Sequence, residues 1–487
     1  MTRHASKTSP TALSRRQLLG RLFAAGGSLA LPGLISACQS QGGREAAINA
    51  LSEIDPMSPQ RLHRWVEELC GFQPRWAGYP AERLAANWLA ERLMAAGLDT
   101  HIDAYAFRKW QLDEWSVSLL EDAQTVAMKS FPLWSSRAGS GTAELVDVGF
   151  GSELELLAQD LTGKAVVVTG KALLNVFATY PDTYHRAAEL GAVAMFVTSD
   201  APDNLIRPTS TSQNYLDDNP IPAFQMGARD LARLRQAARN GGQIQWNLQA
   251  RHEDGLTHDV IGHLPGSGAQ DGHILICAHY DAWFAGALDN ATGVSGLIGL
   301  AEHFAALPQS ERPRDMTFLG VTGHDAGYPH GGITHWLSTH QTLIPELDLF
   351  VNLDHLAAHG EEHISLGGIV DMLGLSLERP GDEERALFTT QHPALLRTFS
   401  PYLLRYGLLA VPLPTVPQVN ANGDLEGAVG LLDVPSVNLT MATPHYHTER
   451  DTPDRIPPEQ LSRAVQAHRD FISDIMQMSR AQIRSPL

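Results

Sequence analysis

The sequence predicts an α/β protein with a doubly wound, mainly parallel central sheet covered by helices, and a smaller α/β domain inserted into it. From about residue 256 onward, near-continuous apolar strands alternate with helical segments, as in sheets that are buried on both faces. Between about residues 130 and 250 the predicted strands are shorter and carry no cluster of catalytic residue types. This change of character indicates a second domain.

The chain has 487 residues, too many for one ordinary core, so we expect several domains. The expected segments are a signal at 1–38, a tether at 39–57, the first part of the main domain at 58–129, the inserted domain at 130–255 and the rest of the main domain at 256–487. The formal net charge of −18 argues against a nucleic-acid partner and against adsorption to anionic lipid. Cys70 and Cys277 are isolated, which predicts small buried side chains, not a disulfide.

The first 38 residues predict an export signal. Arg15 and Arg16 form a pair, and the apolar run after them is too short and too rich in Gly and Pro to predict a membrane span. The run ends in ISAC, with small residues leading to Cys38. This resembles a bacterial twin-arginine signal joined to a lipobox, which implies export in the folded state and membrane attachment through lipid on Cys38. Gln39 favours the outer membrane, with the protein on the periplasmic face, and an ordinary cleaved signal is the alternative.

The remaining elements follow from hydrophobic periodicity. Helices are predicted at 58–71, 80–98, 186–191, 228–241, 290–307 and 458–478. Strands are predicted at 100–107, 163–170, 191–197, 221–226, 258–266, 273–281, 314–321, 348–357, 363–368 and 434–441.

Polar residues gather where the strands of the second half end, which is where open α/β sheets bind ligands. The residues are His279, Asp281, Asp289, Asn290, His324, Asp325, Asp354, His445, Tyr446 and His447. Imidazole and carboxylate groups suit zinc, and one carboxylate can bridge two ions. Such a pair can acidify water and polarise a carbonyl group. Asp281 falls on the same face as His279 and could accept its ring N–H.

The motifs AHYDA, GALDNATGVSGLIGLAEHF, VNLD and HYHTERDTPDRI, in this order, resemble the M28 family of zinc aminopeptidases and carboxypeptidases. The resemblance covers roughly 58–125 and 256–476, and the segment between resembles the protease-associated (PA) domain, which covers or shapes the substrate cleft in some exopeptidases. It implies a zinc exopeptidase fold, peptide substrates and two Zn²⁺ ions.

The same resemblance assigns a role to each residue. One zinc would be held by His279, Asp289 and Asp354, and Asp289 would bridge to a second zinc held by Asp325 and His447. Asp281 would orient a ligand, and Tyr446 would steady the oxyanion of the transition state. Asn290 would support the bridging loop. The other histidines His330, His335, His355 and His359 are expected at the surface or behind the ligands.

The chain departs from the family where most members carry Glu-Glu, a general base followed by a ligand. Here His324 and Asp325 stand instead. Asp325 retains a ligand oxygen. His324 could be the base, a third ligand that distorts the site, or the mark of a site that binds metal and peptide without turnover. Glutaminyl-cyclase-like acyl chemistry is a further alternative, but His279 and Asp354 are not needed as ligands in such one-zinc relatives.

The sequence therefore predicts a zinc-dependent exopeptidase that removes terminal residues from peptides through metal-activated water, with His324 as the candidate proton acceptor. Asp424 and Glu426 precede the last predicted strand. We interpret this stretch as a solvated loop, and the binding of a substrate amine by either acid is the alternative.

Overall fold

The computed structural model describes residues 55–121, 124–169, 180–199, 201–210, 219–325, 331–359, 384–414, 423–425, 433–441 and 443–485. The predicted signal with Cys38, all but the end of the tether, the strand at 363–368, His330 and Glu426 lie outside these residues. Within them, no helix combines the length and the apolar character that crossing a membrane requires. Cys70 and Cys277 are buried free thiols.

The predicted helices form, as do the predicted strands within the described residues, but the helices at 153–157 and 393–405 and the strands at 139–147, 384–389 and 409–414 were not predicted. The helices are α1 (Pro59–Cys70), α2 (Pro80–Ala95), α3 (Glu153–Leu157), α4 (Tyr180–Glu189), α5 (Ala228–Arg239), α6 (Thr292–Ala306), α7 (Gly332–Thr339), α8 (Pro393–Arg405), α9 (Pro458–Gln477) and α10 (Arg480–Arg484). The strands are β1 (Asp99–Glu121), β2 (Gln124–Ala127), β3 (Ser130–Pro132), β4 (Gly139–Asp147), β5 (Ala165–Val168), β6 (Ala194–Thr198), β7 (Ala223–Met226), β8 (Gln243–Leu264), β9 (His273–His279), β10 (Asp315–Val321), β11 (Leu347–Asn352), β12 (Glu384–Thr389), β13 (Leu409–Pro414) and β14 (Ser436–Thr440).

The central sheet has the strand order β13-β12-β14-β11-β9-β10-β8. Its middle is parallel, since β9 pairs in parallel with β10 and β11, and β11 with β14. Antiparallel pairs, β8 with β10 and β12 with β14, flank this middle. Every residue of β9 is buried. The predicted α/β class, a large central sheet flanked by helices, is confirmed.

Alternate residues of β9 pack into different helix layers. Ile274 and Ile276 belong to the core formed with α1, α2, α6 and α9. Leu275 and Cys277 belong to the core that includes Ile333 of α7. Helices therefore cover both faces of the sheet, and the C-terminal ends of its strands are left to present polar side chains.

Strands β1 and β8 form one long antiparallel ribbon, which we call the ribbon, paired from Asp99 with His263 to Leu120 with Gln243. One end of β8 pairs with β10 of the central sheet and the other end with β4. The strands predicted at 100–107 and 258–266 are therefore parts of longer strands. Much of β1 is only half-buried or exposed, so its sequence has no sustained apolar alternation to mark its full length.

Beyond the ribbon lies a second group of strands, β4 to β7 with β3, which we call the second sheet. Its strands β4, β5, β6 and β7 pair in parallel, and β3 pairs antiparallel with β7. Val166 packs on one face into a cluster confined to this segment, whereas Val167 packs on the other face into a cluster shared with Trp76 and Trp283. The second sheet lies within the inserted domain predicted at 130–255, although β8 continues past the predicted boundary at 255.

Candidate metal centre

Two groups of three side chains meet at the C-terminal ends of the central strands. One group is His279, Asp289 and Asp354, and the other is Asp289, Asp325 and His447. Within each group the possible ligand atoms lie within 4.8 Å of one another. We call them the first triad and the second triad. They share Asp289, so the structure brings together the five residues that the sequence analysis names as ligands, in the predicted grouping.

Asp289 contacts a histidine of each triad. Its Oδ1 atom lies 3.1 Å from Nε2 of His279, and its Oδ2 atom lies 2.7 Å from Nε2 of His447. Asp354 Oδ1 lies 3.4 Å from the same His279 nitrogen, and Asp325 Oδ1 lies 2.9 Å from the same His447 nitrogen. In each triad one imidazole nitrogen therefore faces two carboxylates.

The first triad is built on the core of the sheet. His279 is the last residue of β9 and is fully buried, and Asp354 follows β11. Asp289 lies just before α6, where it is 2 % exposed. Asp451 accepts hydrogen bonds from the backbone N–H groups of Leu288 (2.7 Å) and Asp289 (3.1 Å), which fixes the turn that presents Asp289. Sequence reasoning missed Asp451, although it lies in the motif HTERDTPD.

Asn290 supports this turn as expected. Its side-chain nitrogen donates to the Leu353 carbonyl oxygen at 2.8 Å, and its Oδ1 atom accepts from the backbone N–H of Gly293 at 2.9 Å. A Cβ atom at position 293 would lie 2.1 Å from the Leu353 oxygen, so only glycine lets α6 approach β11 this closely. The motif DNATG thus joins the residues preceding Asp354 to those around Asp289.

Asp281 lies behind both triads. Its Oδ1 atom is 3.5 Å from Nδ1 of His279, and its Oδ2 atom accepts a hydrogen bond of 2.9 Å from the backbone N–H of Asp325. A buried arginine that sequence reasoning also missed secures the same loop. Arg75 donates to the carbonyl oxygens of Tyr280 (2.7 Å) and Ala285 (2.8 Å). No motif marks Arg75, which lies some two hundred residues before the loop that it holds.

The histidines dominate the electrostatics of the shared acid. Burial disfavours the charged form of Asp289, but His355, His447 and His279 outweigh burial and hold the pKa of Asp289 well below its usual range. Burial and the nearby Asp289 carboxylate together raise the pKa of Asp325. Uncompensated carboxylates are costly in a buried site, so this arrangement favours the binding of cations.

Four buried ligand atoms form no hydrogen bond with the described residues: Nε2 of His279, Oδ2 of Asp289, Oδ2 of Asp325 and Oδ1 of Asp354. Buried polar atoms are normally satisfied, and unsatisfied atoms gathered in the two triads fit the coordination of ions. One imidazole and two carboxylates in each triad are the ligand types that zinc takes in catalytic sites. The residues present therefore fit two zinc ions.

His324 lies at the edge of this centre. Its ring is 4.4 Å from the His279 ring, measured between centroids, and its side chain is 25 % exposed. Its Nδ1 atom lies 3.4 Å from Oδ1 of Asp424, which also accepts the Ile333 backbone N–H at 3.1 Å. Burial lowers the pKa of His324, but Asp424 outweighs it, and the pKa is raised to about 9. Asp424 is 3 % exposed, so the predicted solvated loop is wrong for this residue.

Two aromatic side chains stand on the other side of the shared acid. The Tyr446 ring stacks on His447 with 3.6 Å between centroids. His355, expected at the surface or behind the ligands, is 5 % exposed and has Nε2 3.0 Å from Oδ1 of Asp289. Its position directly after Asp354 is the signal by which the sequence could have placed it here. His445, the neighbour of Tyr446, is buried but does not belong to either triad.

Comparison with known proteins identifies relatives of this chain. Residues 259–472 match the model of the family described as "Peptidase family M28". A curated relative, carboxypeptidase Q of Xenopus laevis, is 24% identical over 303 residues, which is 58% of this chain and 61% of that protein. The chain thus spans about three fifths of the length of this relative.

Solved structures of low sequence identity share the fold. A zinc aminopeptidase from Bacillus subtilis has a TM-score of 0.66 and 17% identity, covering 88% of this chain and 99% of the other. An aminopeptidase from Aneurinibacillus sp. strain AM-1 has a TM-score of 0.61 and 18% identity, covering 89% and 97%. The segment 259–472, which supplies all five candidate ligands, thus carries the sequence pattern of peptidase family M28, on a fold shared with zinc aminopeptidases.

Proposed function

We propose that this protein is a zinc-dependent exopeptidase that removes terminal residues from peptides. The observation that carries the proposal is the pair of triads joined by Asp289, since a carboxylate shared between two ligand sets can bridge the two ions of a hydrolytic site. The match to peptidase family M28 and the relative named as a carboxypeptidase support peptide hydrolysis.

In this proposal the first triad and the second triad each hold one zinc ion. Zinc held there would supply Lewis acidity for polarising the scissile carbonyl group and acidifying water. Asp281 orients the His279 ring through Nδ1, which leaves Nε2 for coordination. Tyr446, stacked on His447, is placed beside the second triad, where its hydroxyl would steady the oxyanion of the transition state.

His324 is the proposed general base. Asp424 faces its Nδ1 atom, so Nε2 is the nitrogen left to accept a proton from the attacking water. Asp424 favours the protonated imidazole and His279 disfavours it. Positive charge held by the two triads would also disfavour it. The balance between these opposing effects decides whether His324 can take a proton at neutral pH.

The same balance motivates a second candidate function, a binder of metal and peptide without turnover. With Asp424 dominant, His324 stays an imidazolium ion and cannot accept a proton. A cation at this edge would bind a peptide carboxylate or carbonyl group instead.

A digest of a mixed peptide library tests the proposal. The full-length chain, purified with zinc, is expected to shorten peptides stepwise from one end, as read by mass spectrometry. His279→Ala should lose zinc and trimming because the first triad loses its only imidazole. His101→Ala, at an exposed position on β1, is the matched control and should trim normally.

Each outcome of the digest has a definite meaning. Full zinc content in His279→Ala would contradict the ligand assignment. Two bound ions, no trimming by the natural protein and trimming by His324→Glu would support the binder instead. The end from which residues are lost would assign the protein as an aminopeptidase or a carboxypeptidase.

The second sheet is the part that we propose to be a PA-like domain covering the substrate cleft. Its parallel strands with α4 and α5, its separate core and its contacts with the loop of His447 support this role. Its limits at 130–255 remain those predicted from the sequence.

We also propose that the protein is exported by the twin-arginine route and held at the membrane through lipid on Cys38. The support is the sequence Arg15-Arg16 followed by ISAC. Cys38→Ser is expected to move the protein from the membrane fraction to the soluble fraction of an expressing bacterium, because the attachment atom is lost. Ser36→Ala, which keeps the cysteine and a small residue before it, is the control. A Cys38→Ser protein that stays with the membrane would disprove lipid anchoring at this residue.

A further inference from the structure

The loop 443–451, which we call the His447 loop, is contacted by an arginine side chain of the second sheet. Arg207 lies between β6 and β7 of that sheet. Its Nε atom donates to the Tyr446 carbonyl oxygen at 2.9 Å, and its Nη2 atom donates to the Pro444 carbonyl oxygen at 3.0 Å. The guanidinium carbon also lies 5.7 Å from the Tyr446 ring centroid. One side chain thus contacts the backbone on the N-terminal side of His447 at two points.

The position of Arg207 is itself fixed. Its backbone N–H donates to Oγ of Ser199 at 2.8 Å, and the preceding Ile206 is buried in the core of the second sheet. Two further ion pairs join the same parts of the molecule, Arg450 with Asp203 at 2.8 Å and Lys129 with Glu449. Both pairs are exposed and contribute little. The half-buried Arg207 therefore provides the main polar attachment of the loop to the second sheet, whereas Asp451 ties the end of the loop to the turn of Asp289.

The backbone of the His447 loop needs such support. His447 has a φ of 59°, a left-handed conformation that non-glycine residues adopt rarely and keep only where their surroundings hold them. The direction of the His447 ring follows from this backbone and from the stacked Tyr446 ring. In the first triad, by contrast, the histidine ligand His279 ends a fully buried strand.

We infer that Arg207 is a positioning residue for the second triad. Its guanidinium group holds the His447 loop so that Nε2 of His447 meets Asp289 and Asp325, and the second sheet thereby becomes part of the metal centre. This inference rests on the proposed function, because it assumes that the second triad holds an ion. This positioning role differs from covering the substrate cleft, because removal of Arg207 would weaken metal binding even when no substrate is present.

Zinc affinity tests the inference. A chelator of known affinity withdraws zinc stepwise from the full-length holoprotein, and the zinc retained is measured at each free-zinc concentration. In Arg207→Met the second ion is expected to bind about 10–100-fold more weakly, the usual cost of losing a partner behind a metal ligand, while the first ion is unchanged. In Arg207→Lys an ammonium group replaces the planar guanidinium group. Its affinity for the second ion should therefore lie between those of the natural protein and of Arg207→Met.

Arg235→Met is the matched control. Arg235 pairs with Asp147 at 2.9 Å within the second sheet, so its loss removes an arginine of similar burial without touching the His447 loop. It should bind both ions as the natural protein does.

The outcomes separate the inference from the function on which it rests. Unchanged affinity for both ions in Arg207→Met, with two ions in the natural protein, would overturn the inference alone. Equal weakening of both ions would indicate a general defect of folding and would also overturn it. A natural protein that holds one ion or none would overturn the two-zinc site, and the inference with it.

Discussion

Asp289→Asn is expected to reduce the zinc content from about two ions per chain to less than one and to abolish peptide trimming. The two oxygens of Asp289 lie 3.1 Å from His279 and 2.7 Å from His447, so each triad depends on it. Asparagine offers one neutral acceptor oxygen and cannot bridge two ions. The loss of zinc affinity should exceed the roughly 10–100-fold loss that follows removal of a hydrogen-bond partner behind a metal ligand.

Metal analysis of the purified variant by atomic emission, alongside the peptide digest, measures this effect. Asp454→Asn changes an exposed carboxylate on the segment that follows the His447 loop, and it should retain both ions and full activity. Retention of two tightly bound ions by Asp289→Asn would rule out the shared carboxylate and, with it, the two-ion centre.

His324→Ala is expected to lower kcat by about 10²–10⁴-fold, the usual contribution of a general base, with zinc content unchanged. The His324 ring lies beside His279 but belongs to neither triad, so its removal takes away a proton acceptor and no ligand. Steady-state kinetics on a single short peptide measure the change, and KM should move little. His185→Ala, at an exposed position on α4, should behave as the natural protein.

An unchanged kcat in His324→Ala would remove this residue from the mechanism. Loss of zinc together with kcat would instead make His324 a third ligand. Glutamate at this position would face the buried Asp424, and two adjacent carboxylates share one proton. His324→Glu should therefore work best in combination with Asp424→Asn, which provides a second test of the contact between the two side chains.

The side chains that meet in the two triads could be named from the sequence because several of them lie at a local signal. His279 ends an apolar strand, Asp354 follows another, and Asp289 precedes a helix with glycine at a fixed spacing. Parallel strands place such ends at one edge of a sheet, which brings the residues together, and the resemblance to the M28 family implied their grouping.

The contacts that support the ligands could not be predicted in this way. Asp424 meets His324, and Arg207 meets Tyr446, across long separations in sequence and from loops without any periodic pattern. The full length of β1 was missed for a related reason. Where a strand is half-exposed on both faces, burial imposes no alternation on its residues, and only the pairing with β8 defines it.

The ribbon also has a consequence for how the protein is made. Asp99 pairs with His263, and Leu120 with Gln243. After β1, more than a hundred further residues must therefore be synthesised before its pairing partner exists. Pairing across such separations raises the contact order and slows folding. Much of this chain therefore emerges from the ribosome before the ribbon can form. The twin-arginine pathway proposed for this protein carries chains that have already folded, so the slow closure of the ribbon would take place in the cytoplasm, ahead of transport.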